Sequence, residues 1–253
     1  MISKTLISQI RLLHQKKHRD EQELFLVEGV KSCLETLQSN WEVTQCFITE
    51  RFNLDFFNAK DAQKTQKVIV SEKEMERISC LTTAPEILCI AKKLQYQLHD
   101  FHDEKPLLIL DSIRDPGNLG TMIRTADWFG FDQVLCSEDC VEFTNPKVIQ
   151  ASMGSFTRVK IVYTNLADYL KTQSHKTIYG LFMNGEPIQK QSFKHNDIGI
   201  IGSESHGISE ALTPYINTKI EIPVFLREGT SPESLNAAMA AGIFMYEYRR
   251  RNS

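Results

Sequence analysis

"LLILDSIRDPGNLGTMIRTADWFGF", residues 107–131, decides the fold. A short apolar run is followed by a turn containing glycine and then by apolar residues at helical spacing, which reads as strand, turn, helix. Asp115 or Asn118 can cap that helix, and Met122, Ile123, Ala126 and Phe129 supply its buried face. The turn is shaped to admit a ligand, yet it carries only G-x-x-G, Gly117 and Gly120, with no lysine after them. A dinucleotide fingerprint needs G-x-G-x-x-G and a Walker loop needs G-x-x-x-x-G-K-[ST], so pyrophosphate cradling is disfavoured. Arg124 lies among Thr121, Asp127 and Trp128, on the more polar side. Pairing with Asp127 at i,i+3 and service to a ligand are both open to it.

Outward from this unit the same alternation continues. Strands are expected near 107–111, 133–136, 158–162, 177–182, 197–202 and 219–224, with helices after most of them, which predicts a mostly parallel α/β sheet covered on both faces. Upstream, "LFLVEG", "VTQCFIT", "KVIVS" and "ILCIAKK" alternate with "VKSCLETLQ" and "SEKEMERISC", a smaller α/β unit. Between the two series "LQYQLHDFHDEKP" loses periodicity and ends on Pro106. The reading is therefore a first domain over 1–93, a linker over 94–106 and a second domain over 107–253.

The chain has 253 residues, 42% of them hydrophobic, enough for two modest cores. No run of about 18 apolar residues and no secretory leader is visible, so a cytoplasmic protein without a membrane span is expected. The six cysteines contain no C-x-x-C pair and read as core filler rather than metal ligands; no metal is expected. A net charge of −3 excludes a uniformly basic nucleic-acid surface but not a local patch. One opens the chain: "ISKTLISQIRLLHQKKHRD" carries Lys4, Arg11, Lys16, Lys17 and Arg19 before its first acid and reads as one basic amphipathic helix, either a solvated face or an RNA contact.

In open α/β sheets ligands collect beyond the carboxyl ends of strands. Two further turns stand out there. "DIGIIGSESHGIS", residues 197–209, is a strand, then Gly202, Glu204 and Gly207, then a helix expected near Ile208, where Glu204 could cap. "IEIPVFLREGTSPESLNAAMAAGIFMYEYRR", residues 220–250, ends a strand at Pro223 and starts a helix near Ser234. That helix's Ala237, Ala238, Ala240, Ala241 and Gly242 would let another helix, such as one from a second subunit, approach closely.

The set Asn118, Gly120, Arg124 and Ala126, then Gly202, Glu204 and Gly207, then Ile222, Pro223, Ser234, Leu235 and Asn236 resembles the SpoU family of RNA ribose methyltransferases over roughly residues 105–250. The preceding unit looks like the substrate-binding domain that often accompanies it, a fold shared with small ribosomal RNA-binding proteins. The resemblance implies S-adenosylmethionine-dependent methylation of a ribose 2′-hydroxyl of rRNA or tRNA, by a homodimer with a C-terminal trefoil knot. It implies Gly202, Ile222 and Leu235 at the cofactor. Arg124 would be the central catalytic residue, with Asn118, Glu204, Ser234 and Asn236 around it. Lys16, Lys17, Arg19 and Lys147 are expected to meet RNA phosphates. His206 is read as a local loop residue. Ser205 stands where the family commonly has glycine, Gln150 where it often has arginine, and the loop before Ser234 is longer than usual. A catalytically inactive RNA-binding module of the same fold is the alternative; a nicotinamide enzyme is disfavoured by the missing glycine fingerprint.

Overall fold

The computed structural model describes residues 2–57, 65–225 and 234–251. Two compact units account for the chain, one of Met1–Gln95 with Glu142–Thr157, the other of Tyr96–Val141 with Arg158–Ser253. A single cut at 94–106 therefore does not describe the structure, because residues 142–157 group with the N-terminal unit.

That N-terminal unit contains a four-stranded sheet in the order β1 (Leu24–Glu28), β4 (Ile87–Lys92), β2 (Val43–Ile48), β3 (Gln66–Ile69), with β4 antiparallel to both neighbours and β2 parallel to β3. Side chains alternate across it. On one face Leu26, Phe47, Leu88 and Ile90 pack with Ile7, Ile10 and Leu13 and with Met75 and Ile78 of α4 (Glu72–Ile78). On the other, Phe25 meets Trp41 and Phe156 edge to face at 5.5 and 5.9 Å, and α3 (Val30–Gln38) and α6 (Pro146–Ser152) lie against β1. Cys33, Cys46 and Cys89 are buried free thiols here, as Cys136 and Cys140 are in the other unit; Cys80 is exposed.

The single basic helix expected at the start is two, α1 (Lys4–Leu12) and α2 (Lys16–Gln22). Ser3 caps the first by accepting from the Leu6 amide at 3.1 Å. The break follows because Leu13 is buried and His14 Nε2 bonds the Ile78 carbonyl at 2.9 Å, pinning the chain to α4. Arg19 is 1% exposed. Its Nη1 donates to the Leu13 carbonyl at 2.9 Å and its Nη2 to Glu142, while burial pulls the guanidinium below its ordinary pKa. It cannot meet RNA.

In the second unit a six-stranded, wholly parallel sheet runs in the order β10 (Thr218–Glu221), β8 (Ile178–Pro187), β9 (Ile198–Ile201), β5 (Leu107–Leu110), β6 (Gln133–Cys136), β7 (Lys160–Tyr163). The central strands β9, β5 and β6 are buried at every residue, which is why they read as continuous apolar runs rather than alternating ones. One face of the sheet is covered by Leu166 and Leu170 of α7 (Leu166–Lys171) with Ile208 and Leu212. The other packs on α8 (Ala237–Arg251), which lies against α5 (Pro116–Trp128). Gly199 is required there, since a Cβ would overlap the Phe244 ring. Phe131 and Tyr248 meet at 5.0 Å and Phe193 and Phe244 at 5.7 Å, closing that side.

From β5 the chain moves outward on one side through β6 and β7, whereas β9, β8 and β10 lie on the other. The junction of β5 and β9 is thus a topological switch point, where the carboxyl ends leave a crevice. No α-helix begins at Ile208. Asp111 Oδ2 instead accepts from the Ser209 amide at 2.7 Å, Leu212 N bonds the Ser209 carbonyl, and a 3-10 turn follows at Thr213–Tyr215 around Pro214. Among the described residues no helix is long and apolar enough to cross a membrane.

Candidate active site

The loop leaving β5 is fixed before it reaches α5. Ser112 takes the left-handed backbone (φ +57°), and its amide donates to Ser137 Oγ at 2.8 Å. Asp115 caps α5 by accepting from the Asn118 amide at 2.8 Å, with Pro116 at the first helical position. Asn118, in the first turn, consequently points its side chain at the loop after β9. There its Nδ2 donates to Glu204 Oε1, across 86 residues of sequence.

The same carboxylate oxygen collects the amide of Ala237 at 3.2 Å and Asn236 Nδ2 at 3.5 Å. Asn236 Nδ2 also reaches Asn118 Oδ1 at 2.8 Å, and its Oδ1 caps α8 by accepting from the amides of Ala238 and Met239 at 3.0 and 3.2 Å. Glu204 therefore does sit at a helix N-terminus, where the helix dipole favours an anion, but the helix is α8 rather than one of its own. Three junctions that lie far apart in sequence meet around one carboxylate.

Gly202 and Gly207 make the Glu204 loop possible. Ser203 and Gly207 exchange backbone hydrogen bonds at 3.2 and 2.9 Å, Gly207 has φ +67°, and a Cβ on Gly202 would overlap the Gly207 carbonyl. Only Gly207 in this loop has a positive φ, so Ser205 fits where the family commonly has glycine. Its hydroxyl lies 2.8 Å from His206 Nδ1, and both residues are exposed.

A cleft of about 780 Å³ opens on one side of this loop. Gly202, Ile222 and Leu235 line it, together with Ser234, Leu181, Phe182 and Met183 in the middle of β8, and Ala237 and Ala240 of α8. Its apolar walls and its size suit a nucleoside joined to an amino acid, and it holds no phosphate-binding lysine loop. Strand β8 is expected at 177–182, but nothing in its apolar run marks Leu181, Phe182 and Met183 as cleft residues rather than core. On the other side of the same loop is a smaller, polar cleft of about 360 Å³, bounded by Ser112, Arg114, Asp115 and residues 203–207.

Arg124 lines neither cleft. It is exposed on the stripe of α5 that holds Gly117, Thr121 and Trp128, and it has no hydrogen bond or ion pair among the described residues. The i,i+3 pairing with Asp127 does not form, because Asp127 is held by Arg158, with Nη2 at 2.8 Å and Nε at 3.0 and 3.1 Å. Lys16 and Lys17 are exposed beside Asp20 and Glu21 at 3.8 Å, and Lys147 is exposed in the first turn of α6. Ala237, Ala238, Ala240 and Ala241 are buried within their own unit, and Gly242 lies beside Thr125 of α5. The helix they admit belongs to the same chain, not to a partner. Residues 226–233 of the long loop lie outside the described residues.

A family model described as the SpoU rRNA Methylase family matches residues 105–246, and one described as the MRM3-like substrate binding domain matches residues 4–89. The chain is 29% identical over 241 residues to the 23S rRNA (guanosine(2553)-2'-O)-methyltransferase RlmP of Bacillus subtilis, covering 94% of this chain and 93% of that protein. It is 27% identical to the mitochondrial rRNA methyltransferase 3B of Danio rerio, over 98% of this chain and 70% of that one. The solved structure of an AdoMet-bound rRNA methyltransferase from Sinorhizobium meliloti superposes with a TM-score of 0.87 at 28% identity, over 99% of this chain and 97% of the other. With more than half its length matched, and with the three motif-bearing junctions brought together around Glu204, the chain belongs to the SpoU rRNA Methylase family.

Proposed function

We propose that the protein transfers a methyl group from S-adenosylmethionine to a ribose 2′-hydroxyl of RNA, with ribosomal RNA the first substrate to test, since it is named for the relatives above. The observation that carries this reading is the convergence of Asn118, Glu204 and Asn236 at the lip of the apolar cleft. Gly202, Ile222 and Leu235 would hold the cofactor, which supplies an electrophilic methyl on a sulfonium.

The residues around it divide the remaining work. Glu204 Oε1 is already committed to three protein donors, so its role is to lock the two loops to α8. Asn118 and Asn236 complete that lock. The Arg124 guanidinium would be repelled by the sulfonium and would face the RNA. A bidentate bond to the phosphate beside the target ribose would orient the sugar, and the same charge would stabilise the oxyanion as it forms. The hydroxyl proton would leave to that phosphate, to Ser234 or to water.

The N-terminal unit would recognise RNA shape, with Lys16, Lys17 and Lys147 as phosphate contacts in place of the buried Arg19. A trefoil knot is supported by the way the chain returns after β10 to bond Glu204 and Asn118 through Ala237 and Asn236. We place the work in the cytoplasm, in a homodimer. Its interface would be the exposed Trp128, Met239 and Tyr246 on the adjoining faces of α5 and α8, where Arg124 also lies. Sedimentation at micromolar concentration should give a dimer that Trp128→Glu converts to monomer; a monomeric parent removes that interface.

Calorimetry and methyl transfer to ribosomal and transfer RNA transcripts test the activity together. Arg124→Ala should keep cofactor affinity within about twofold and lose methyl transfer by two orders of magnitude or more, about 3 kcal/mol of transition-state stabilisation. RNA binding without cofactor binding by the parent protein would instead establish an inactive RNA-binding module.

A further inference from the structure

The polar cleft of about 360 Å³ on the far side of the Glu204 loop is not used by the cofactor-binding residues. Resting on the methyltransferase reading, we propose that this cleft is the subsite for the acceptor nucleotide, with Arg114 as the anchor for an RNA phosphodiester. The argument is one of hydrogen-bond accounting.

The carboxylates at this cleft already accept from protein donors through one oxygen each. Asp115 accepts from the Asn118 amide at 2.8 Å, and Glu204 takes Asn118, Asn236 and the Ala237 amide. Asp139, just behind, accepts from Ser137 Oγ at 2.7 Å, Ser112 Oγ at 2.9 Å and Arg114 Nη2 at 2.8 Å. Arginine carries five N–H donors. One of these is committed here, on a side chain that is 71% exposed. The guanidinium therefore has donor capacity to spare, beside the exposed Ser205 and His206 of the same cleft, and an anion is what it can take.

It is also held in place. Ser112 is kept in the left-handed backbone between the Ser137 hydroxyl and Asp139. Its effect is to fix Asp139, and through it Arg114, at the cleft's edge. An oriented, solvent-facing, planar guanidinium meets two oxygens of a phosphate bidentately with little ordering cost. The clefts share the 203–207 loop, so a nucleotide in the polar one lies next to a donor in the apolar one.

The test is filter binding of an in vitro 23S rRNA transcript, with S-adenosylhomocysteine present, across a salt series, on Arg114→Ala and Arg114→Lys. Arg114→Ala should weaken RNA binding roughly tenfold, as for one lost charged hydrogen-bonded contact. Its log–log salt slope should fall by about 0.7–0.9, the value for one phosphate. Arg114→Lys should keep the slope and recover part of the affinity, having charge without the fork. Melting temperature and cofactor affinity should match the parent. An unchanged slope in Arg114→Ala overturns the proposal, as does a loss of folding, and a drop confined to cofactor affinity would assign Arg114 to the cofactor's carboxylate. Failure of the parent to bind cofactor would be a different result, sinking the methyltransferase reading itself.

Discussion

A single oxygen, Glu204 Oε1, ties together the side chain of Asn118, the side chain of Asn236 and the backbone of Ala237. Those residue types were legible because each follows a strand in a motif with little other use for it. Arg19 was not, since its environment is set by a residue 123 positions away. In sequence it stands in a run of cations; in space it is a buried ion pair with Glu142, its Nε without a partner. Breaking the pair leaves the largely buried Glu142 with Lys93, at 4.0 Å, as its remaining cationic partner among the described residues. Arg19→Met should lower stability by about 3 kcal/mol, and adding Glu142→Leu should return most of it, because an apolar replacement of a buried pair is often neutral. Urea denaturation of the single and double variants checks both. A single variant as stable as the parent would mean that the pair is solvated after all.

Elements were legible in proportion to their burial. The strands β5, β6 and β9 announce themselves as unbroken apolar runs because helices cover both faces, whereas the exposed end of β8 gave no signal. The helix expected at Ile208 failed for a reason no local pattern carries: Asp111, at the end of β5, takes the Ser209 amide, and Ile208 and Leu212 turn into the core. What the loop needs instead is its glycine pair. A methyl on Gly202 would have to displace the Gly207 backbone, and overpacking of that kind costs about 1–3 kcal/mol. Because the displaced loop forms the wall of the apolar cleft, Gly202→Ala should reduce S-adenosylmethionine affinity at least tenfold by calorimetry. Unaltered cofactor binding would show that the loop can shift away from the cleft at no cost.

At the scale of the molecule, composition suggests a single boundary, but the structure groups residues 142–157 with the first 95. Such an arrangement leaves no local trace, because the segment sits between β6 and β7 of the other unit and reads as one more loop and helix of that series. Its contribution to the N-terminal unit is specific. Glu142 pairs with Arg19, and Phe143 and Phe156 meet Trp41 edge to face at 6.0 and 5.5 Å. A fragment of residues 1–95 would keep the whole four-stranded sheet yet lose all three partners, exposing Phe25 and Trp41 and leaving a buried guanidinium uncompensated. With burial of each large side chain worth about 1.5–3 kcal/mol and net domain stability only about 5–15 kcal/mol, these losses are enough to leave it unfolded. The fragment should give a collapsed amide proton spectrum at 25 °C, and supplying residues 142–157 through a flexible linker should restore dispersion. A well-dispersed spectrum from residues 1–95 alone would make the segment a passenger rather than part of that core.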